Sequence, residues 1–333
     1  MKHVNVALFV PHLGCPHTCV FCNQRTISGQ TRPLTPEQIR SACETAKGCE
    51  HDVKNSEIAF FGGSFTAIDR EEMIACLEAA RPYVGRDFGG IRVSTRPDCV
   101  DDGVLSLLRE YGVTAVELGA QSMDDAVLAL NERGHTAKDT EAACERIRRY
   151  GFSLGLQMMT GLYGSDEEKD RQTARRFVEL HPDTVRIYPT VVLEHTRLAE
   201  LWRRGEYAPP SLEDSVALCA NLLRLFRENR IRVIRLGLHS GGNVEEGYLA
   251  GVYHPAFGEL CESRIFRDLT EERLQGFSSG AYTLRVNPRD LSKAIGQKKA
   301  NLAYFRGIGY DLTVRQDAAA PMGTVEVWKQ ECV

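Results

Sequence analysis

The sequence lacks any apolar run approaching the roughly 20 residues that a bilayer-spanning helix needs. Its opening, MKHVNVALFV, is basic but leads straight into a strand pattern without a small-residue cleavage site, so no secretory leader is expected. Disordered and fibrous chains are excluded by 43% hydrophobic and 26% charged residues. The expectation is a cytoplasmic enzyme with no membrane association. Disulfides are disfavoured in a reducing compartment, so 11 cysteines in 333 residues direct attention to metal or redox chemistry. Length alone predicts about two domains, or one barrel with an appendage.

Charge is distributed unevenly. Residues 281–333 carry 8 Lys/Arg against 5 Asp/Glu, whereas the first 280 carry 33 against 40. A basic tail on an acidic body points to a polyanionic partner.

Strand-like runs alternate with amphipathic stretches through most of the chain. Strands are expected near 5–10, 57–61, 91–94, 115–118, 152–158 and 184–188, with helices near 36–47, 70–83, 102–111, 136–150 and 167–180. Thr35-Pro36-Glu37 reads as an N-cap with proline at the first helical position, and Gly112 and Gly151 read as helix stops. Six such repeats imply a parallel sheet, doubly wound or a partial barrel. Strand parity favours a lumen: Glu117, Gly119 and Gln121 share one face, as do Arg186 and Tyr188, while their apolar neighbours point away. Beyond Arg232 the alternation degrades, and Ser240–His254 reads as a long glycine-rich loop. A helix near 269–277 then leads to a linker, Ser278-Ser279-Gly280. The expected division is a barrel over 1–240, an extension over 241–280 and a small α/β tail over 281–333.

The strongest local signal follows the first strand: Cys15-Pro16-His17-Thr18-Cys19-Val20-Phe21-Cys22. Three thiols at spacings of four and three can meet on one loop. Structural zinc wants four ligands, and no second close cysteine pair supplies the fourth. A cubane iron–sulfur cluster held by three cysteines keeps one iron open for a small molecule. The other cysteines (43, 49, 76, 99, 144, 219, 261 and 332) are scattered, many within helix patterns, as buried inert thiols are.

This pattern is the signature of radical S-adenosylmethionine enzymes, and the chain resembles that superfamily. The resemblance implies a [4Fe–4S] cluster on Cys15, Cys19 and Cys22, S-adenosylmethionine chelated to its open iron, and a 5′-deoxyadenosyl radical. It places Phe21 beside the adenine. Phe60-Phe61-Gly62-Gly63-Ser64 ends the second strand, where the superfamily reads Gly-Gly-Glu and receives the methionine ammonium. Ser64 replaces that glutamate, which leaves more of the contact to backbone carbonyls. An external one-electron donor such as a flavodoxin or ferredoxin is also implied.

Further ordered motifs narrow the match: Ser94-Thr95-Arg96-Pro97-Asp98, Glu117-Leu118-Gly119-Ala120-Gln121-Ser122, Arg133-Gly134-His135-Thr136, Tyr188-Pro189-Thr190, and Thr196-Arg197-Leu198-Ala199-Glu200-Leu201-Trp202 with Gly205-Glu206-Tyr207. Together they are similar to the radical domain of the Elongator catalytic subunit, which modifies wobble uridine in tRNA. By that resemblance Gly62, Gly63, Ser64, Thr95, Gln121 and Arg133 face the cofactor, and Glu117 and Tyr188 face the lumen side of the same pocket. Arg235 and His239 lie where the family continues its substrate-side segment. Two departures count. The Elongator cysteines have a wider first gap, and only about 55 residues follow Phe277 here, too few for an acetyltransferase domain, so acetyl-CoA-dependent carboxymethylation is not expected.

The tail reads strand (282–286), helix (289–295), turn, helix (300–305), strand (311–315). That order resembles the KH module, with Ile295-Gly296-Gln297-Lys298-Lys299 in the place of its GxxG loop. Lys298 and Lys299 are the candidate RNA contacts; the competing reading is a small α/β cap with a solvated lysine pair.

The resulting expectation is a radical S-adenosylmethionine enzyme with a partial (β/α)6 TIM-type barrel and a KH-like tail, acting on RNA, with tRNA the expected substrate. Two alternatives stand beside it. Coproporphyrinogen oxidases share the barrel but carry a further cysteine where Asn23 stands. A non-catalytic RNA-binding iron–sulfur protein is the other.

Overall fold

A computed structural model describes residues 5–10, 15, 18–23, 32–48, 53, 56–238 and 242–329, with the backbone alone at 242–244. The chain divides into two compact units, one of Met1–Pro210 with Asn229–Tyr253, the other of Ser211–Glu228 with His254–Val333.

The first unit is built on strands β1 (Asn5–Val10), β2 (Glu57–Gly62), β3 (Gly90–Thr95), β4 (Val113–Gln121), β5 (Ser153–Thr160), β6 (Thr184–Pro189) and, after the short β7 (Val191–Leu193), β8 (Arg232–Leu236). They form one sheet in the order β1-β2-β3-β4-β5-β6-β8, every neighbouring pair parallel. The order never reverses. A doubly wound sheet needs a switch point, so the topology is the singly wound one of a partial barrel.

The crossover helices are α1 (Pro36–Lys47), α2 (Arg70–Ala80), α3 (Asp102–Glu110), α4 (Asp125–Leu130), α5 (Ala137–Arg149), α6 (Glu167–Glu179) and α7 (Arg197–Arg203). Their starts are written in the sequence. Thr35 and Thr136 close capping boxes with Gln38 and Asp139, and Asp69, Asp101, Asp124 and Asp166 cap α2, α3, α4 and α6. Ile39 and Cys43 of α1, Leu105 and Leu108 of α3, and Ala143, Cys144 and Ile147 of α5 are buried at helical spacing.

Two expectations fail between β6 and the tail. Arg232–Leu236 is a seventh strand of the sheet, paired with β6 through Val185↔Val233 and Arg186↔Arg235. Within Ser240–His254 the described residues form a helix, α9 (Gly242–Gly247), and a strand, β9 (Tyr248–Gly251), which pairs antiparallel with β7. Glycine content misleads there because Gly251 makes a close approach: its φ is +97° and a Cβ would meet the Thr190 carbonyl oxygen at 2.7 Å.

The second unit contains α8 (Leu212–Glu228), α10 (Phe257–Leu274) and a three-stranded sheet, β11-β10-β12. Strand β10 (Gly280–Val286) runs parallel to β11 (Tyr310–Gln316) and antiparallel to β12 (Glu326–Lys329). Between β10 and β11 lie α11 (Leu291–Ile295) and α12 (Ala300–Gly307), so the strand–helix–turn–helix–strand order is present. The division of the chain differs from the sequence-based one. Helix α8 leaves the first unit's sequence to pack with α10, and Phe266 of α10 sits in one core with Leu284, Val286 and Ala294. The helix expected near 269–277 is the end of this longer α10, which stops at Leu274.

Candidate active site

The cysteine loop leaves the carboxyl end of β1. Its course is fixed by backbone bonds: Val20 N–H donates to the Asn131 carbonyl (3.2 Å), Leu198 N–H to the Val20 carbonyl (2.9 Å) and Cys22 N–H to the Cys19 carbonyl (3.0 Å). Val20 is buried with Val192, Leu198 and Leu201, and Phe21 packs against that cluster. Cys19 is buried, whereas Cys15 and Cys22 are partly exposed.

Around the thiols stand cationic and polar groups from the strand ends and from the loop that follows α4. Arg133 Nη1 donates to Cys19 Sγ at 3.0 Å, and Nη2 donates to the Gly119 carbonyl at 2.5 Å. Arg96 is clamped bidentately by Asp98 (2.9 and 2.8 Å) and also donates to the Arg133 carbonyl. Burial pushes the Cys15 thiol up, opposed by the Ser64 backbone N–H and by the charges of Arg96 and Arg133. Gln121 ends β4 after a register shift and takes φ +67°, a left-handed conformation that costs a non-glycine residue on the order of 1 kcal/mol or more.

At the end of β2, Gly62 has φ +103° and a Cβ there would lie 2.5 Å from the Val10 carbonyl oxygen, so only glycine fits. Gly63 N–H donates to that same oxygen at 3.1 Å. Ser64 is buried, its hydroxyl 2.7 Å from the Thr95 hydroxyl and accepting from Arg96 N–H at 3.2 Å. Ser64 and Thr95 therefore tie the ends of β2 and β3 together.

Glu117 and Tyr188 belong to a separate group. Glu117 is fully buried; its carboxylate lies 2.7 Å from Arg186 Nε and 3.6 Å from Arg92 Nη1, and accepts from Gln157 Nε2. Arg92 in turn clamps Glu57 (2.8 and 3.2 Å). Burial raises the Tyr188 hydroxyl, with Arg186 opposing. Thus Cys19, Gln121 and Arg133 come together, Ser64 and Thr95 form the adjoining strand ends, and Glu117 and Tyr188 line the wall. Lys298 and Lys299 lie in the second unit, and His239 lies outside the described residues.

Sequence reasoning gave no role to Arg96, His135, Arg92, Glu57 or Gln157. Arg96 and His135 sit within motifs already singled out, and Arg92 and Gln157 break the apolar character of buried strands. That break is a usable signal, because a charge is buried only with partners.

The donor chemistry fits an iron–sulfur cluster with S-adenosylmethionine. Among the described residues, no three of His, Cys, Asp and Glu close around a single metal ion. Also among the described residues, buried polar atoms without hydrogen-bond partners occur on Arg133 and its neighbours: Arg96 Nη1, Gln121 Oε1, Arg133 Nε and His135 Nδ1. Such orphans are costly unless a polar ligand meets them, and a zwitterionic amino-acid moiety does.

A family profile for the radical SAM superfamily matches residues 9–177, just over half of the chain. The chain belongs to the radical SAM superfamily. A second profile, the Radical_SAM C-terminal domain, covers residues 182–267. Radical SAM enzymes use a [4Fe–4S] cluster and S-adenosylmethionine, and this chain is one of them by family. It is 30% identical over 243 residues to a tRNA uridine(34) acetyltransferase of Dehalococcoides mccartyi, covering 61% of this chain and 52% of that protein. To Elongator complex protein 3 of Homo sapiens it is 34% identical over 295 residues, covering 72% and 53%. The chain thus spans about half the length of these curated relatives. An archaeal Elp3 structure from Methanocaldococcus infernus superposes with a TM-score of 0.65 at 23% identity, over 80% of this chain and 64% of that one.

His135 provides a pH test of this pocket. It is buried, its Nε2 lies 3.2 Å from the Ala120 carbonyl, and burial with the neighbouring Arg133 pulls its pKa from 6.5 to about 4. Folding therefore keeps it neutral where the unfolded chain takes up a proton. Its contribution to stability is complete above pH 6.5 and is lost as pH falls towards 4, by about 2 kcal/mol at pH 5. Urea unfolding at pH 7 and pH 5 should show this loss in the wild type and not in His135→Gln. Parallel losses in the two proteins would contradict the burial account.

Proposed function

We propose that this chain is a radical SAM enzyme that modifies tRNA. The observation that supports the reading is the Arg133 guanidinium on Cys19 at the strand ends, with buried polar atoms around it that have no partner among the described residues. In this family the cluster and S-adenosylmethionine together supply a 5′-deoxyadenosyl radical after one-electron reduction, here from a flavodoxin or ferredoxin. Cys15, Cys19 and Cys22 would hold the cluster. The Gly62–Ser64 backbone would receive the methionine ammonium, Arg96 and Arg133 the negative charge of its carboxylate, and Phe21 the adenine edge. Thr95 and Gln121 fix the pocket wall, and Glu117 and Tyr188 face the substrate side.

The substrate class follows from the relatives, whose names denote tRNA uridine modification and Elongator function. The cytoplasm, where tRNA is abundant, is the compartment we assign; among the described residues no helix is long and apolar enough to cross a membrane. In the second unit Gly296 (φ +78°) leads into Lys298 and Lys299, both in left-handed conformations at the start of α12. These lysines would meet the RNA backbone as point charges.

Anaerobically reconstituted protein, reduced with dithionite, should release 5′-deoxyadenosine faster when total tRNA is added, and Cys19→Ala should release none. Release indifferent to tRNA would remove the RNA substrate; no release from a fully loaded sample would remove the enzyme reading. The double variant Lys298→Glu/Lys299→Glu should weaken tRNA binding in a filter assay and flatten the slope of log K against log salt by roughly 1.5 to 2. An unchanged slope would show that the loop does not touch RNA.

A further inference from the structure

The lumen wall carries an unbalanced charge. Its two carboxylates, Glu57 and Glu117, are taken up by Arg92 and Arg186, with Gln157 supplying a further donor to Glu117. A third guanidinium, Arg235 on β8, stands in register with Arg186 on β6. Its Nε donates to the Gly237 carbonyl at 2.8 Å, and among the described residues no carboxylate pairs with it. Arg235 is partly buried, and the groups facing it electrostatically are Tyr188 and Arg186, one neutral and one of its own sign. Among the described residues three guanidiniums stand against two carboxylates on this wall, and the half-buried Arg235 is the one left without an anion, so a ligand's negative charge would be paired there.

We propose that Arg235, with Arg186 and Tyr188, forms a subsite that receives a single carboxylate of the reactant entering the lumen. A planar guanidinium matches a carboxylate bidentately, and a tyrosine hydroxyl supplies an orienting donor. Arg186 is already held by Glu117, so it contributes field and Arg235 contributes the contact. A carboxylate balances the one surplus charge, whereas a phosphate monoester would overshoot it. The subsite rests on the functional reading above only in that the lumen is where the reactant sits.

The test is thermal unfolding of the anaerobic, cluster-loaded chain with saturating S-adenosylmethionine, so that Arg96 and Arg133 are already engaged. Sodium acetate, sodium phosphate and sodium chloride are compared at equal ionic strength. Acetate should raise the wild-type midpoint beyond chloride. Arg235→Met should abolish that difference without lowering the midpoint in chloride, because it removes an unpaired cation, and Arg235→Lys should keep part of it. Acetate indistinguishable from chloride on the wild type, or Arg235→Met responding as the wild type does, would overturn the subsite. A stronger response to phosphate than to acetate would overturn the carboxylate assignment. Deoxyadenosine release from the wild type is followed in parallel. An acetate response through Arg235 in protein that releases none would sink the functional reading and leave the subsite standing.

Discussion

A carboxylate with no exposure to solvent governs the barrel. The Glu117 carboxylate is surrounded by cations and donors from three other strands: Arg92 on β3, Gln157 on β5 and Arg186 on β6. Removing one partner of such a network costs about 3 to 5 kcal/mol, so the polar wall is held as a set. The small residue opposite completes it. Gly155 pairs with Glu117, and a Cβ there would sit 2.9 Å from Glu117 Cγ. A wall of charges and glycine is not filled with branched aliphatics as a packed barrel is.

The chemistry sits where the strands end. Parallel strands place all their carboxyl ends on one edge, and there the backbone is irregular: Gly62 with positive φ, Gln121 in a left-handed conformation after a register shift, and Ser64 tied to Thr95. Binding at that edge is the general habit of parallel sheets. Here Arg96, clamped by Asp98, reaches the Arg133 carbonyl, and Arg133 reaches Cys19. Irregularity costs stability and is retained where it aims groups at a ligand.

Much of this was legible in the sequence. Six strands and five helices announced themselves because buried parallel strands read as apolar runs and their helices carry capping residues. The cysteine spacing is local, so its loop was visible at once. Parity put Glu117 and Arg186 on the lumen face, although the shift before Gln121 breaks simple alternation at the strand's end. Strand β8 was missed because Arg232-Val233-Ile234-Arg235 has no period of two and is only half-buried. Strands β7 and β9, three and four residues long, fall below any periodic signal. The packing of α8 with α10 joins segments far apart in the chain, which no local pattern records. Arg96 and His135 were in view but roleless, since their meaning depends on Arg133 arriving from the loop that follows α4.

In the proposed site the thiols and strand ends together receive the amino-acid end of S-adenosylmethionine. Electron–nuclear double resonance on reduced, reconstituted protein probes that contact, using cofactor isotopically labelled at its amino nitrogen and carboxylate oxygen. Both labels should show hyperfine coupling to the cluster. A full cluster that couples to neither label, with cofactor bound, would refute the site.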